Sequence, residues 1–165
     1  MIRDIESLVQ NEGSRVSRRV FADQSIYDLE LERIFARNWL LLGHESQVAN
    51  KGDFFTAYMG EDPILVTRDS GGKVHAFLNA CRHRGMRVCR ADQGNAVAFT
   101  CSYHAWTYAN SGTLIGVPLQ NDAYYGELDK TKYGLTPVPR LESYRGLLFG
   151  NLDPDAPPLI EHLGD

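Results

Sequence analysis

The sequence has little of what marks secreted, membrane-spanning or strongly cationic proteins. It contains three cysteines in 165 residues, which would make a poor disulfide framework for a secreted scaffold. Its longest apolar runs, such as residues 39–42 and 147–149, fall far short of the roughly 20 residues that a membrane-spanning helix needs. No apolar run follows residues 1–4. We therefore expect no signal peptide, no membrane partner and a cytoplasmic location.

The sequence also carries no excess of positive charge. Seventeen Lys and Arg residues against twenty-one Asp and Glu residues give a formal net charge of −4, which predicts no general affinity for nucleic acid. Hydrophobic residues make up 43% of the chain and charged residues 23%, as in a folded domain. The length fits one domain rather than two.

The first 38 residues have helical rather than strand periodicity. Ser25 followed by Asp28 resembles a capping box. Apolar residues at helical spacing behind it predict a helix from about Ile26 to Asn38, preceded by a short helix near residues 5–10. We expect residues 1–38 to form a helical arm that packs on the rest of the chain or on a neighbouring subunit.

From residue 53 onward, apolar and polar residues alternate, which predicts strands. The pattern indicates strands at residues 55–59, 64–68, 73–78, 96–100, 106–109, 113–115 and 146–152, several of them joined by tight turns. The tyrosine-rich residues 121–139 are predicted to form a surface loop, and residues 159–163 a short helix. The predicted fold class is therefore mostly β and antiparallel, with the arm at residues 1–38 and the β domain at residues 39–165.

Two segments between the predicted strands each combine a cysteine with a histidine. Cys81 and His83 form a Cys-x-His motif, and Cys101 and His104 form a Cys-x-x-His motif. Seventeen residues, 84–100, separate the two motifs. Each motif begins where a predicted strand ends, so the two loops can face each other. This arrangement suits a metal centre with two thiolate and two imidazole ligands.

The mixture of ligands within each loop discriminates between two metal centres. Zinc sites of this composition usually pair like ligands, with two cysteines in one motif and two histidines in the other. A Rieske [2Fe–2S] cluster instead takes two thiolates on one iron and two imidazoles on the other. We therefore predict a Rieske cluster held by Cys81, His83, Cys101 and His104, with a structural zinc ion as the alternative.

The residues around both motifs resemble a known family. Residues 79–86 (NACRHRGM) and 101–106 (CSYHAW) are similar to the cluster loops of the α subunit, the terminal oxygenase, of aromatic-ring-hydroxylating dioxygenases. The resemblance covers most of the chain and implies an antiparallel Rieske-type β-sandwich. It departs at Ala105, where these proteins usually carry glycine.

The resemblance implies a role in electron transfer. In such enzymes an NADH-dependent reductase reduces a ferredoxin, and the ferredoxin reduces the Rieske cluster. The cluster then delivers electrons to a mononuclear iron, usually in a neighbouring α subunit of an α₃ or α₃β₃ assembly, and this iron adds O₂ to an aromatic ring. A free-standing Rieske ferredoxin is the alternative function.

The mononuclear iron site is not expected in these residues. Such a site needs two histidines and a carboxylate, and the histidines left over, His44, His75 and His162, have no partners at ligand spacing. We therefore expect the catalytic domain to be absent from this chain, and the chain alone to be redox-active without catalytic residues of its own.

Several other residues near the motifs allow two interpretations. Arg82, Arg84, Arg87 and Arg90 form either a docking face for an acidic partner or a set that bonds backbone carbonyls and nearby acids.

Cys89, Trp106 and Tyr108 are predicted to be core or cluster-covering residues. Met86 and Tyr103 stand where Rieske proteins of respiratory complexes carry bridging cysteines, which predicts a reduction potential near the low end of the class range, about −150 mV.

Overall fold

The computed structural model describes residues 6–10 and 14–164, and most of these residues belong to antiparallel sheets and their connections. The helices are α1 Gln24–Glu30, α2 Gln120–Tyr124 and α3 Leu159–Leu163. The strands are β1 Val9–Gln10, β2 Arg15–Val16, β3 Leu40–His44, β4 Asp53–Met59, β5 Asp62–Arg68, β6 Val74–Leu78, β7 Gln93–Asn95, β8 Ala98–Thr100, β9 Thr107–Ala109, β10 Leu114–Gly116, β11 Arg140–Tyr144 and β12 Leu147–Asn151.

The central sheet has four strands in the order β6-β5-β4-β7, and every neighbouring pair is antiparallel. Side chains alternate between its two faces, as in any strand. Leu65 of β5 therefore lies opposite Phe77 of β6 on one face, while Val66 lies opposite Ala76 on the other. All four side chains are buried, so the sheet is covered on both sides.

Each face of the central sheet packs against a three-stranded sheet. The sheet β10-β9-β8 covers one face, and the sheet β11-β12-β3 covers the other. The first core contains Phe54, Leu65, Phe77, Cys81, Val88, Cys89, Phe99, Cys101, Trp106, Tyr108, Leu114 and Leu135. The second contains Leu42, Val48, Phe55, Met59, Ile64, Val66, Ala76, Val138 and Leu148. The two predicted metal loops belong to the first core.

The antiparallel β class and the strands predicted from residue 53 onward agree with the structure to within a few residues at their ends, and the terminal helix α3 is also confirmed. Strands β3, β7 and β11 were not predicted, because none of them shows a regular alternation of buried and exposed residues. The predicted loop at residues 121–139 is partly wrong, since it includes most of α2 and a 3-10 helix at Lys130–Tyr133.

The prediction for the arm is also partly wrong. Asp23, not Ser25, caps α1, because its carboxylate accepts hydrogen bonds from both the backbone N–H and the hydroxyl of Ser25 at 3.0 and 2.6 Å. The helix then widens into a π-helical segment at Leu31–Phe35. Leu31 and Phe35, the first and last residues of this segment, both lie against Gly60 in the turn between β4 and β5. The arm therefore packs on the β domain.

The short N-terminal helix predicted near residues 5–10 is a 3-10 helix at Glu6–Leu8, followed by strand β1, and residue 5 lies outside the described residues. Strand β1 pairs with β2, which was not predicted. Among the helices that the structure describes, none has both the length and the apolar character needed to cross a membrane.

The turn between β9 and β10 contacts the central sheet. The Thr67 hydroxyl of β5 donates a buried hydrogen bond of 2.6 Å to the carbonyl of Asn110. Gly112, with φ at +82°, lies against the ring of Phe77 so closely that an added Cβ would stand 2.5 Å from the ring atom Cζ. Both contacts hold the hairpin that follows the second predicted metal loop.

We expect Gly112→Ala to lower the free energy of unfolding by about 2–4 kcal/mol, because the added methyl group overpacks Phe77 and the left-handed φ strains a non-glycine residue. Gly72→Ala is the matched control, since its φ is +91° and an added Cβ would meet nothing within 4 Å. Denaturant unfolding of both variants measures the difference. Equal losses would show that the Phe77 contact contributes nothing.

Candidate metal centre

The two predicted metal loops have the same backbone hydrogen-bond pattern. In the first, the Cys81 N–H donates to the Met86 carbonyl at 2.8 Å, and the Gly85 N–H donates to the Cys81 carbonyl at 2.8 Å. In the second, the Cys101 N–H donates to the Trp106 carbonyl and the Ala105 N–H to the Cys101 carbonyl, both at 2.9 Å. Each loop therefore closes on its own cysteine and presents its histidine at the tip.

The left-handed residue in each loop occupies the same place in this pattern. Gly85 has φ at +72° and Ala105 has φ at +55°. Only glycine takes this conformation freely, and a residue with a Cβ is strained there by about 1–2 kcal/mol. The departure from the family pattern at Ala105 is therefore a local cost in stability. It leaves the loop geometry unchanged, because the equivalent hydrogen bond is present.

The loops bring the two predicted histidines into contact. The ring centroids of His83 and His104 are 4.6 Å apart, with the rings nearly perpendicular at 74°. His83 also stacks on Trp106 at 5.0 Å and 10°, while His104 lies exposed against Tyr103. The imidazole of His83 is thus half-buried, and that of His104 is exposed.

The two predicted cysteines lie beneath the histidines in the same apolar core. Cys81 is 4% exposed and Cys101 is 2% exposed, and neither forms a disulfide. Both belong to the first core together with Trp106. Two thiols and two imidazoles therefore converge on one place, with the sulfur atoms inside and one imidazole reaching the solvent.

One atom at this place has no partner of its own in the protein. Nδ1 of His83 is buried and forms no hydrogen bond, although buried ring nitrogens are normally satisfied. Burial, together with the charges of His104 and Arg84, lowers the pKa of His83, which favours the neutral imidazole that a metal requires. An unsatisfied, neutral ring nitrogen beside two buried thiols fits the donor set of a Rieske cluster.

A two-iron cluster needs a different arrangement of ligands from a single metal ion. Among residues 6–10 and 14–164, no three Cys, His, Asp or Glu side chains are placed closely enough to hold a single metal ion. A Rieske cluster does not need such a group, because each iron takes only two ligands from the protein and the sulfides bridge the irons.

Tyr108 links the core to the first cysteine. Its hydroxyl lies 3.2 Å from Sγ of Cys81 and accepts a hydrogen bond of 3.0 Å from the backbone N–H of Arg82. The side chain is fully buried, and burial, followed by its bond to Cys81, raises the pKa of Tyr108. The hydroxyl therefore stays protonated and can donate a hydrogen bond to a Cys81 thiolate. The sequence predicts a core or cluster-covering residue at this position and does not indicate the hydrogen bond to Cys81.

We expect Tyr108→Phe to lower the reduction potential of the cluster-loaded protein by about 40 mV. The hydrogen bond is stronger when the cluster carries the extra negative charge, and a difference of about 1 kcal/mol corresponds to about 40 mV for one electron. Tyr124→Phe is the control, because its ring contacts Trp106 edge-on without reaching either cysteine through its hydroxyl. Redox titration that gives the same potential for both variants would contradict this role.

The other residues singled out from the sequence have structural roles. Cys89 is buried, as predicted, and burial raises its pKa. His75 pairs with Asp69 at 2.7 Å, and His44 caps a 3-10 helix at Glu45–Val48. His162 is exposed in α3. Cys89 shares the first core with Cys81 and Cys101.

The segment that carries both loops matches a model of a known protein family. Residues 38–144 match the Rieske [2Fe–2S] domain. The chain belongs to the Rieske [2Fe–2S] domain family. The matched segment contains both loops of the Rieske domain and all four strands of its central sheet, so the predicted fold family is confirmed.

The Rieske domain is similar to α subunits of aromatic dioxygenases, as the sequence resemblance indicated. It is 51% identical to the α subunit of biphenyl 2,3-dioxygenase from Rhodococcus jostii (strain RHA1), across 98% of this chain and 35% of that protein. It is 49% identical to the α subunit of benzene 1,2-dioxygenase from Pseudomonas putida, across 98% of this chain and 36% of that protein. The chain thus spans about a third of the length of these relatives.

Solved structures show the same fold. Naphthalene 1,2-dioxygenase from a Rhodococcus species, with indole bound, superposes with a TM-score of 0.87 and 49% identity over 91% of this chain and 34% of that chain. A quaternary ammonium Rieske monooxygenase superposes with a TM-score of 0.79 and 28% identity over 88% of this chain and 39% of that chain. The same architecture therefore occurs in a naphthalene dioxygenase and in a quaternary ammonium monooxygenase.

Proposed function

We propose that this Rieske domain transfers electrons through a [2Fe–2S] cluster held by Cys81, His83, Cys101 and His104, as part of the α subunit of a ring-hydroxylating dioxygenase. The main support for the ligand assignment is Nδ1 of His83, which is buried and forms no hydrogen bond. It belongs to a loop whose two backbone hydrogen bonds are equivalent to those of the Cys101 loop. A free-standing ferredoxin is not favoured, because the relatives that match nearly the whole chain are dioxygenase α subunits.

Each residue around the proposed cluster has a separate role. When bound, the cluster supplies a site that accepts and releases one electron at a time. The buried cysteines hold it away from solvent, Trp106 covers His83, and the Tyr108 hydroxyl donates toward Cys81. His104 is exposed, so its ring forms the natural contact with a partner. Electron entry and exit therefore occur on the side of the domain that His104 occupies.

The proposed partners follow from the similarity to α subunits. We infer a ferredoxin and an NADH-dependent reductase as electron donors, neighbouring α subunits and β subunits as assembly partners, and a cytoplasmic location. The electron acceptor is a mononuclear iron in a catalytic domain outside these residues, and the aromatic substrate binds in that domain. The relatives are named for biphenyl and benzene, which supports an aromatic hydrocarbon as the substrate class.

Spectroscopy of the purified protein tests the cluster directly. We expect a red-brown protein whose dithionite-reduced form gives the EPR signal of a Rieske cluster, with a midpoint potential of about −150 mV. Cys81→Ser and His83→Ala are expected to abolish this signal, whereas Cys89→Ser is expected to keep it because Cys89 is no ligand. A colourless protein that contains zinc would refute the proposed function, and a potential above zero would refute the predicted low value.

The four arginines near the first loop form an exposed basic surface, which we call the arginine face and define as Arg82, Arg84, Arg87 and Arg90. Arg87 bonds and stacks on Tyr58, Arg82 bonds the Thr136 hydroxyl, and Arg90 contacts the sulfur of Met86. Within the part of the chain that the structure describes, none of the four pairs with an acid or a backbone carbonyl. The docking interpretation is therefore favoured over the structural one.

We propose that the arginine face receives an acidic ferredoxin. The double substitution Arg84→Glu with Arg90→Glu is expected to slow reduction by a purified dioxygenase ferredoxin about tenfold at low salt, because opposite charges speed protein association. The double substitution Arg15→Glu with Arg18→Glu, at two exposed arginines of the arm, makes the same change in net charge and is the control. Stopped-flow reduction at several salt concentrations is the measurement. A wild-type rate that does not change with salt would count against the proposal.

A further inference from the structure

We propose that Asn79 is a positioning residue that fixes the first metal loop, and with it Cys81 and His83, against the second. The inference rests on the proposed cluster ligands. Asn79 follows β6 directly, two residues before Cys81, and its side chain is 1% exposed. The sequence had marked it only as part of the family motif.

The two loops are supported in different ways. The second loop connects β8 to β9, whose residues pair across the hairpin, with Thr100 opposite Thr107 and Phe99 opposite Tyr108. The first loop has no such hairpin. Between Met86 and β7 the chain forms neither helix nor strand, and β7 then pairs with β4 rather than with β6. Beyond the bond between Cys81 and Met86, the segment that leaves the first loop therefore depends on another group for support.

Asn79 supplies that support through three hydrogen bonds. Its Oδ1 accepts from the backbone N–H groups of Val88 and Cys89 at 3.1 and 2.9 Å, and its Nδ2 donates to the Cys89 carbonyl at 2.7 Å. Its own backbone N–H donates to the Pro63 carbonyl at 2.8 Å. The side chain thus joins the two ends of the loop in place of a strand ladder, and the backbone N–H of Asn79 ties them to β5.

The burial of these partners makes the contact hard to replace. Val88 and Cys89 are 7% and 6% exposed, so water has little access to their backbone groups. Removing the amide would leave two N–H groups and one carbonyl unsatisfied, and such groups are costly when buried. The loop would relieve this cost by moving away from β6. That movement would carry Cys81 and His83 away from Cys101 and His104.

The matched control is Asn151 of β12, which belongs to the outer sheet on the opposite face. Asn151 is also 1% exposed. Its side chain donates to the Arg37 carbonyl at 3.1 Å and accepts from the Asp153 N–H at 2.8 Å. Asn151→Ala therefore removes a buried amide of the same kind at a distance from the metal loops.

We expect cluster-loaded Asn79→Ala to lose iron to a chelator about tenfold faster than the wild type, in line with the effect of removing groups that orient metal ligands, and to show a changed EPR line shape. Asn151→Ala is expected to lose thermal stability but to keep the wild-type EPR signal and a rate of iron loss within about twofold. Asn79→Asp keeps the acceptor contacts but not the donor, so its rate should be intermediate.

The outcomes separate this inference from the proposed function. A wild-type protein without a Rieske signal would refute the ligand assignment itself. A normal wild-type signal, with Asn79→Ala and Asn151→Ala alike in EPR and in iron loss, would overturn the positioning role and leave the proposed function standing. Should Asn79→Ala not accumulate as folded protein, the comparison of Asn79→Asp with the wild type decides in the same way.

Discussion

The packing of the β8–β10 sheet on one face of the central sheet determines whether the two metal loops can act together. The first loop leaves β6, a strand of the central sheet, and the second lies between β8 and β9. Their relative position therefore depends on the buried layer between the sheets, where Phe77, Tyr108 and Leu114 meet. A shift of one sheet over the other would separate the ligands even if each loop kept its own hydrogen bonds.

The two loops with the proposed ligands stand out in the sequence because the chemistry that marks them is local. A cysteine and a histidine two or three residues apart, in two separate turns, already restrict the metal centre to few types. The strands of the central sheet were predictable for a similar reason, since alternating burial shows in the order of residues. The sequence alone therefore assigns both loops to one fold.

The supporting residues were not predictable, because their partners are distant in the chain or are backbone groups. Tyr108 reaches Cys81 across 27 positions, and the role of Asn79 depends on the absence of a strand after Met86. The cap of α1 was misplaced because Asp23 and Ser25 are both good capping residues, and only the geometry shows which one accepts the hydrogen bond. Short strands such as β7 form by pairing rather than by their own sequence pattern.

The stacking of His83 on Trp106 also gives the domain an internal optical probe. The chain has two tryptophans. Trp39 lies beside Arg140 and donates to the Pro157 carbonyl, in the part of the domain formed by β3 and β11, whereas Trp106 lies under the metal loops. Fluorescence from Trp106 is therefore the emission that an iron–sulfur chromophore would quench most strongly, and Trp39 provides a reference within the same molecule.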